Sequence, residues 1–242
     1  MHKYEMYLRA VQDPEGTLDW IEKEYRRRCG AAPQIFGEDF CGTFALSCAW
    51  VERGPQHTAV AVDASLTPIR YGMRHYLSAL TENEQKRVRV LQSDVRHPRL
   101  PRVDVLCAFN FSYLVFKTSE ELLSYFKNCR RRLKSNGLLV LDLFGGSEVQ
   151  HPNIDQTKYR DFTYFWEQTS FDPLTNVGRF YIHFQENRKK RMSKAFAYHW
   201  RLWTIPELRE LLLAAGFQEV YVDQKPLRST AWIAQISART KK

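Results

Sequence analysis

Four short segments carry polar or turn-forming residues just after an apolar run. They are Glu38-Asp39-Phe40-Cys41-Gly42-Thr43-Phe44, Asp63-Ala64-Ser65, Ser93-Asp94-Val95 and Asn110-Phe111-Ser112-Tyr113. The first stands between Gln34-Ile35-Phe36 and the helix-like Ala45-Leu46-Ser47-Cys48-Ala49-Trp50-Val51. A strand, a tight turn and a helix in that order set a ligand against the unpaired N–H groups of a helix N-terminus. A carboxylate such as Asp63 has two oxygens for the two hydroxyls of a ribose. Asp94 can accept from the exocyclic amine of adenine. One acid at a strand end is often a helix cap, but several converging on one edge describe a site.

A second group of reactive side chains lies later: His151, His183, Tyr198, His199 and Arg201. Alternation along 193–203 puts Ala195, Ala197, His199, Arg201 and Trp203 on one face, and Phe196, Tyr198, Trp200 and Leu202 on the other. His199 and Arg201 therefore share a face that could meet an acidic or polar acceptor. With Tyr198 they are the candidate catalytic residues.

The elements that must position these groups follow a regular order. Strands are predicted at 34–37, 58–63, 88–93, 103–109 and 138–144, short and rich in Val and Leu as buried parallel strands are. Helices are predicted at 43–53, 66–80 and 119–134 between them. Residues 1–30 read as helical, with Asp13-Pro14-Glu15 as a start signal. Tyr4 and Tyr7 there either pack this helix on the body or close over a ligand. The alternation means an α/β, doubly wound, mostly parallel sheet whose ligand sits at the carboxyl ends of the strands. After Gly145-Gly146 the pattern changes to three aromatic-rich strands at 162–171, 177–186 and 193–203, an antiparallel insertion or lid. Thr204-Ile205-Pro206-Glu207 then starts a helix ending at Ala215-Gly216, and strands follow at 218–223 and 231–238. The resulting division is 1–150, 151–203 for the lid, and 204–242.

Composition bounds the rest. The chain has 242 residues and a formal net charge of +9. No apolar run nears the roughly 20 residues of a membrane span. Met1-His2-Lys3-Tyr4-Glu5 lacks the apolar core of a secretion signal, and five cysteines without a C-x-x-C pair argue for free thiols in a reducing cytoplasm and against a zinc site. The basic runs Arg26–Arg28 and Arg130–Arg132 fall near helix C-termini, and Arg188–Arg191 falls in a hairpin turn. They are read first as solvated surface, and otherwise as contacts for an anionic substrate or RNA.

The 38–44 segment, with Asp63, Asp94, Leu133-Lys134-Ser135-Asn136-Gly137-Leu138-Leu139 and Trp203 to Phe217, resembles the class I S-adenosylmethionine-dependent methyltransferases. The resemblance runs from about Tyr4 to Ala238. It implies a Rossmann-like sheet of seven strands with the last antiparallel, and S-adenosylmethionine as cofactor. Cofactor contacts are expected from Tyr7, Glu38, Phe40, Cys41, Gly42, Thr43, Asp63, Ala64, Ser65, Asp94, Val95, Asn110 and Phe111. The insertion resembles the lid of the branch that methylates oxygen or nitrogen of small molecules, so the expected partner is a small-molecule acceptor, an anionic one included, and a homodimer is compatible with the reading. Two of the family's three loop glycines are Phe40 and Phe44 here, which leads to the expectation of a shifted loop path. Two alternatives stand beside this reading. One is an RNA-modifying methyltransferase using the basic hairpin. The other is a non-catalytic Rossmann-like protein whose phenylalanines close the site.

Overall fold

The computed structural model describes residues 1–227 and 230–240. Its central sheet has seven strands in the order β10-β11-β5-β4-β1-β2-β3. These are β1 (Ile35–Asp39), β2 (Thr58–Asp63), β3 (Val88–Gln92), β4 (Val103–Ala108), β5 (Leu133–Gly145), and, after the insertion, β10 (Glu219–Pro226) and β11 (Trp232–Arg239). The β1–β2, β2–β3, β1–β4 and β4–β5 pairs are parallel. Strand β11 runs antiparallel to both β5 and β10. Strand order reverses between β1 and β4, which opens a crevice above their carboxyl ends.

Helices cover both faces. On one side α2 (Pro14–Cys29) and α3 (Ala45–Glu52) bury Leu18, Ile21, Trp50 and Val51 against Phe36, Ala59 and Val140. On the other, α6 (Ser119–Arg132) and α7 (Ile205–Ala214) bury Leu122, Phe126, Leu208 and Leu212 against Val103, Leu139 and Ile236. Residues on successive strand positions alternate between these two cores, as a pleated sheet buried on both faces requires. The helix ends follow local signals. Asp13 caps α2 by accepting the Gly16 N–H, with Pro14 in the first turn and Gly30 left-handed at the far end. Thr118 with Glu121, and Thr204 with Glu207, form reciprocal capping boxes on α6 and α7.

The 66–80 segment breaks into α4 (Leu66–His75) and a single turn at Leu77–Ala79, and the short α5 (Glu82–Gln85) follows. The insertion forms a separate antiparallel sheet of four strands: β6 (Asn153–Lys158), β7 (Phe162–Asp172), β8 (Val177–Glu186) and β9 (Met192–Arg201). The sequence predicted three of these. Strand β6 is an edge strand of mostly exposed polar residues, Asn-Ile-Asp-Gln-Thr-Lys, and carries no apolar alternation to read. The first helix, α1 (Lys3–Val11), packs Met6 into the lid core beside Phe162, Ile182 and Phe184. Among the described residues no helix is long and apolar enough to cross a membrane.

Candidate active site

The loop after β1 is built from backbone conformations that L-residues avoid. Phe40, Gly42 and Phe44 have φ of 55°, 55° and 47°. For a non-glycine residue the left-handed region costs roughly 1–2 kcal/mol. The rings offset that cost. Phe44 is fully buried, and its ring lies under α4 where Gly72 has no side chain. Full burial of such a ring is worth about 1.5–3 kcal/mol. Phe40 sets its ring against Phe116 and Tyr125, with centroids at 6.0 and 5.7 Å. The backbone takes the turn that glycines normally supply, and the rings leave sideways and downward.

Hydrogen bonds fix this loop to β2. The Cys41 N–H donates to the Val62 carbonyl at 3.0 Å. The Gly42 N–H donates to Asp63 Oδ2 at 2.8 Å, and the Ser65 N–H to Asp63 Oδ1 at 2.7 Å. Each Asp63 oxygen thus holds one backbone donor and keeps a second lone pair. Above the loop lies a cavity of about 350 Å³ lined by Tyr4, Tyr7, Phe40, Cys41, Gly42, Thr43, Asp63, Ser65, Asn110 and Tyr198 among others. The two phenylalanines leave it open.

A second cavity of about 350 Å³ lies under the lid, walled by Phe111, Phe144, Tyr164, Trp166 and Trp232. Tyr7, Asn110, Tyr198 and Trp200 line both cavities. The two spaces therefore meet at one wall, where the side chains of Tyr7 and Tyr198 interact. Burial raises both phenols above their usual range.

Residues 39–141 match the model of a family described as a methyltransferase domain. That stretch, from the end of β1 into β5, carries the likeness to the class I S-adenosylmethionine-dependent methyltransferases. S-adenosylmethionine is the cofactor of that family. The fold is shared with a S-adenosylmethionine-dependent methyltransferase from Clostridium acetobutylicum ATCC 824, at 18% identity and a TM-score of 0.75, over 99% of this chain and 98% of that one. It is also shared with CalS10 of Micromonospora echinaspora, an amino pentose methyltransferase, at 15% identity and a TM-score of 0.72, over 99% and 98%. A third is the sugar N-methyltransferase KedS8 of Streptoalloteichus sp ATCC 53650, at 19% identity and a TM-score of 0.69, over 100% and 94%. At these identities the likeness is one of fold. No curated protein matches the sequence of the chain.

Several residues expected at the methyltransferase's cofactor stand elsewhere. Glu38 faces α3 rather than the cavity. Its carboxylate accepts the Ser47 N–H at 3.1 Å and the Ser47 hydroxyl, and burial pushes it up to about 8. Asp94 lies outside the cavity lining, its side chain 52% exposed and clamped by Arg96 at 2.8 Å. The guanidinium two residues on holds the Asp94 carboxyl below its usual range. Val95 is a core residue whose carbonyl accepts from Asn128 at 2.6 Å. Ala64 is exposed and lies outside the lining. Phe111 borders the second cavity rather than the first.

The catalytic candidates divide by strand face. Tyr198 faces both cavities. His199 points the other way, exposed, with Nδ1 2.6 Å from Lys117 Nζ, and desolvation with Lys117 and Arg179 nearby lowers its pKa. Arg201 bonds the Lys117 carbonyl at 2.9 Å and Glu207 at 3.0 Å and stacks on Trp203. His183 is buried against Glu167 at 2.8 Å, with Nδ1 accepting the Lys194 N–H. The alternation of β9 holds, but the inward face is the aromatic one, Phe196-Tyr198-Trp200, because large rings bury more apolar area than His and Arg.

Two elements of the methyltransferase site went unread in sequence. Trp200 stands at the shared wall, and the aromatic run around it was a signal for it. Asp142 on β5 accepts the backbone N–H groups of Asn110 and Phe111, and nothing local marked it.

Proposed function

We propose that the chain transfers a methyl group from S-adenosylmethionine to a neutral amine nitrogen of a small molecule. The observation that carries this reading is the wall of Tyr7, Asn110, Tyr198 and Trp200 common to both cavities. Ligands in the two spaces would meet there. The cofactor supplies an electrophilic methyl group on a sulfonium. Phe40 to Thr43, Asp63 and Ser65 would hold it, and the remaining lone pairs of Asp63 suit ribose hydroxyls. The acceptor atom then needs a lone pair and an in-line approach, which is a matter of positioning.

Tyr7 and Tyr198 stay protonated at neutral pH because burial raises both, so they orient by hydrogen bonding and do not act as general bases. The shared wall carries no carboxylate or imidazole. A neutral amine needs no base at that wall, whereas a hydroxyl acceptor would have to reach Glu148 or Asp155, the carboxylates that line the lid cavity. Trp166, Trp200 and Trp232 offer flat apolar surface to the C–H faces of a ring. Residues 151–203 serve as the acceptor cover on the frame of 1–150 and 204–242, and keep water from the reacting atoms. The solved structures of an amino pentose methyltransferase and a sugar N-methyltransferase, which share the fold, support a sugar amine as the class. Five buried free cysteines suit a reducing cytoplasm.

RNA gains no support from the basic hairpin. Lys189 bonds Glu186 at 2.8 Å and Arg191 stacks on Phe165 at 4.1 Å. A site closed by phenylalanine is disfavoured by the open cavity beside Phe40.

The test is calorimetric titration with S-adenosylhomocysteine on the native chain and on Asp63→Ala, followed by transfer of labelled methyl to a panel of amino sugars and their hydroxyl counterparts. Binding that is lost in the variant, and label on amines alone, is expected. No binding to the native chain would sink the cofactor assignment, and label on hydroxyls alone would sink the amine.

A further inference from the structure

Among the described residues, the turn that follows β4 lies where three cavities at this edge of the sheet come together. Asn110 borders the loop cavity, the lid cavity and a third cavity of about 330 Å³ between the α1–α2 turn and β11. Its backbone and that of Phe111 are both left-handed, with φ of 56° and 59°. Two successive non-glycine residues in that region do not hold themselves there. Asp142, one strand over on β5, accepts the Asn110 N–H on Oδ2 at 2.7 Å and the Phe111 N–H on Oδ1 at 2.8 Å. A carboxylate with one oxygen on each of two consecutive N–H groups fixes the direction of both peptide planes.

We propose that Asp142 is a positioning residue for ligand binding, holding the Asn110-Phe111 turn in the shape that forms the junction of the cavities. The proposal rests on the reading of the loop cavity as the cofactor site. Its chemical consequence is a dependence on the charge of one carboxyl. Ionised, Asp142 offers acceptors to both N–H groups. Protonated, one oxygen becomes a hydroxyl and accepts poorly, and the turn relaxes.

Burial, partly offset by those two N–H bonds, pushes Asp142 up to about 7, so the change falls in the neutral range. Three buried groups packed near it stay protonated there. Tyr7 on α1, Cys107 on β4 and Tyr113 in the turn are all held protonated, burial raising each well above its usual value. Gln235, its neighbour on β11, is neutral. Asp13 and Lys225 are the other charged residues of the third cavity. Glu38, buried on β1 and pushed up to about 8, changes charge in the same range. The experiment therefore compares two proteins that both keep Glu38.

Backbone amide NMR of the native chain between pH 5.5 and 8.5 should show the Asn110 and Phe111 amides moving together with a midpoint near 7, and that movement should vanish in Asp142→Asn. Calorimetric titration with S-adenosylhomocysteine should give binding up to about tenfold weaker at pH 6 than at pH 8 in the native chain. In Asp142→Asn, binding should be about tenfold weaker than native at pH 8, with the ratio to native closing toward one at pH 6. Static amides in the native chain, or Asp142→Asn binding with native affinity and native pH dependence, overturns the proposal. If the variant does not fold, the native amide titration decides alone. If the native chain does not bind S-adenosylhomocysteine, the cofactor reading fails, and the amide titration still decides whether Asp142 governs the turn.

Discussion

Arg132 at the end of α6 reaches Asp39 at the end of β1 with a single nitrogen, Nη1, at 2.6 and 2.8 Å from the two carboxylate oxygens. Both side chains are closed off from water, and the Tyr125 hydroxyl donates to the same carboxylate at 3.1 Å. The other guanidinium nitrogens, Nε and Nη2, are buried without a hydrogen-bond partner. The pair ties the helix before β5 to the loop that bears Phe40. Removing one partner leaves the other as an unpaired buried charge, which costs about 3–5 kcal/mol, whereas replacing both by apolar groups is often neutral. Arg132→Met alone should therefore lose about that much stability in urea unfolding, and Arg132→Met with Asp39→Leu should recover most of it. A double variant as unstable as the single one would contradict this account.

Gly72 is the second lever on the same loop. A Cβ placed there would stand 2.1 Å from the Thr43 carbonyl oxygen and 2.5 Å from the Phe44 ring. The loop backbone must move to admit it. Gly72→Ala should cost roughly 1–3 kcal/mol by overpacking and should weaken S-adenosylhomocysteine binding as well. A thermal scan with and without ligand measures both. Unchanged stability together with unchanged ligand shift would mean that α4 yields instead of the loop.

Tyr198 and His199 are neighbours in sequence with opposite outlooks. Tyr198→Phe keeps the ring and removes the hydroxyl from the shared wall, so turnover with an amine acceptor should fall about tenfold or more. His199→Ala changes an exposed side chain outside both cavities, and its turnover should stay within about twofold of native. Initial rates at saturating S-adenosylmethionine separate the two. The reverse ranking would return the chemistry to the outer face of the lid.

Glu38 gives the fold an unusual pH response. Its pKa in the folded chain is about 8 against an ordinary 4.5, so the ionised form is disfavoured by folding. Its contribution to stability is fully present below the unfolded value and is lost as pH rises through the folded one. Between pH 5 and pH 9 that loss reaches up to about 4 kcal/mol. Glu38→Gln keeps an acceptor for Ser47 and never ionises. The variant should therefore gain on the native chain in melting temperature as pH rises from 5 to 9. A constant gap across that range would mean that Glu38 titrates in the ordinary carboxyl range.

What the sequence determined by itself was whatever is encoded locally. Short Val-rich and Leu-rich runs separated by helical stretches gave the doubly wound sheet, and Asp13 and Thr204 gave two helix starts, because caps and buried strands are written in neighbouring residues. The turn after β1 and the acid at the end of β2 were legible for the same reason, and Asp63 does stand beside Gly42. Tertiary structure decided what depends on residues far apart. Alternation fixed which residues of β9 share a face, but only packing on α1 and the sheet chose the Tyr198 side over the His199 side. The pairing of Asp94 with Arg96 is likewise seen only in the folded loop. The backbone of Phe40 and Phe44 is held in its costly conformation by Phe116, Tyr125 and the bare Cα of Gly72. The Asp39–Arg132 pair and the Asp142 bonds to Asn110 and Phe111 join residues 93, 32 and 31 positions apart. No local pattern carries such pairings, because burial supplies their energy and burial exists only once the sheet has formed.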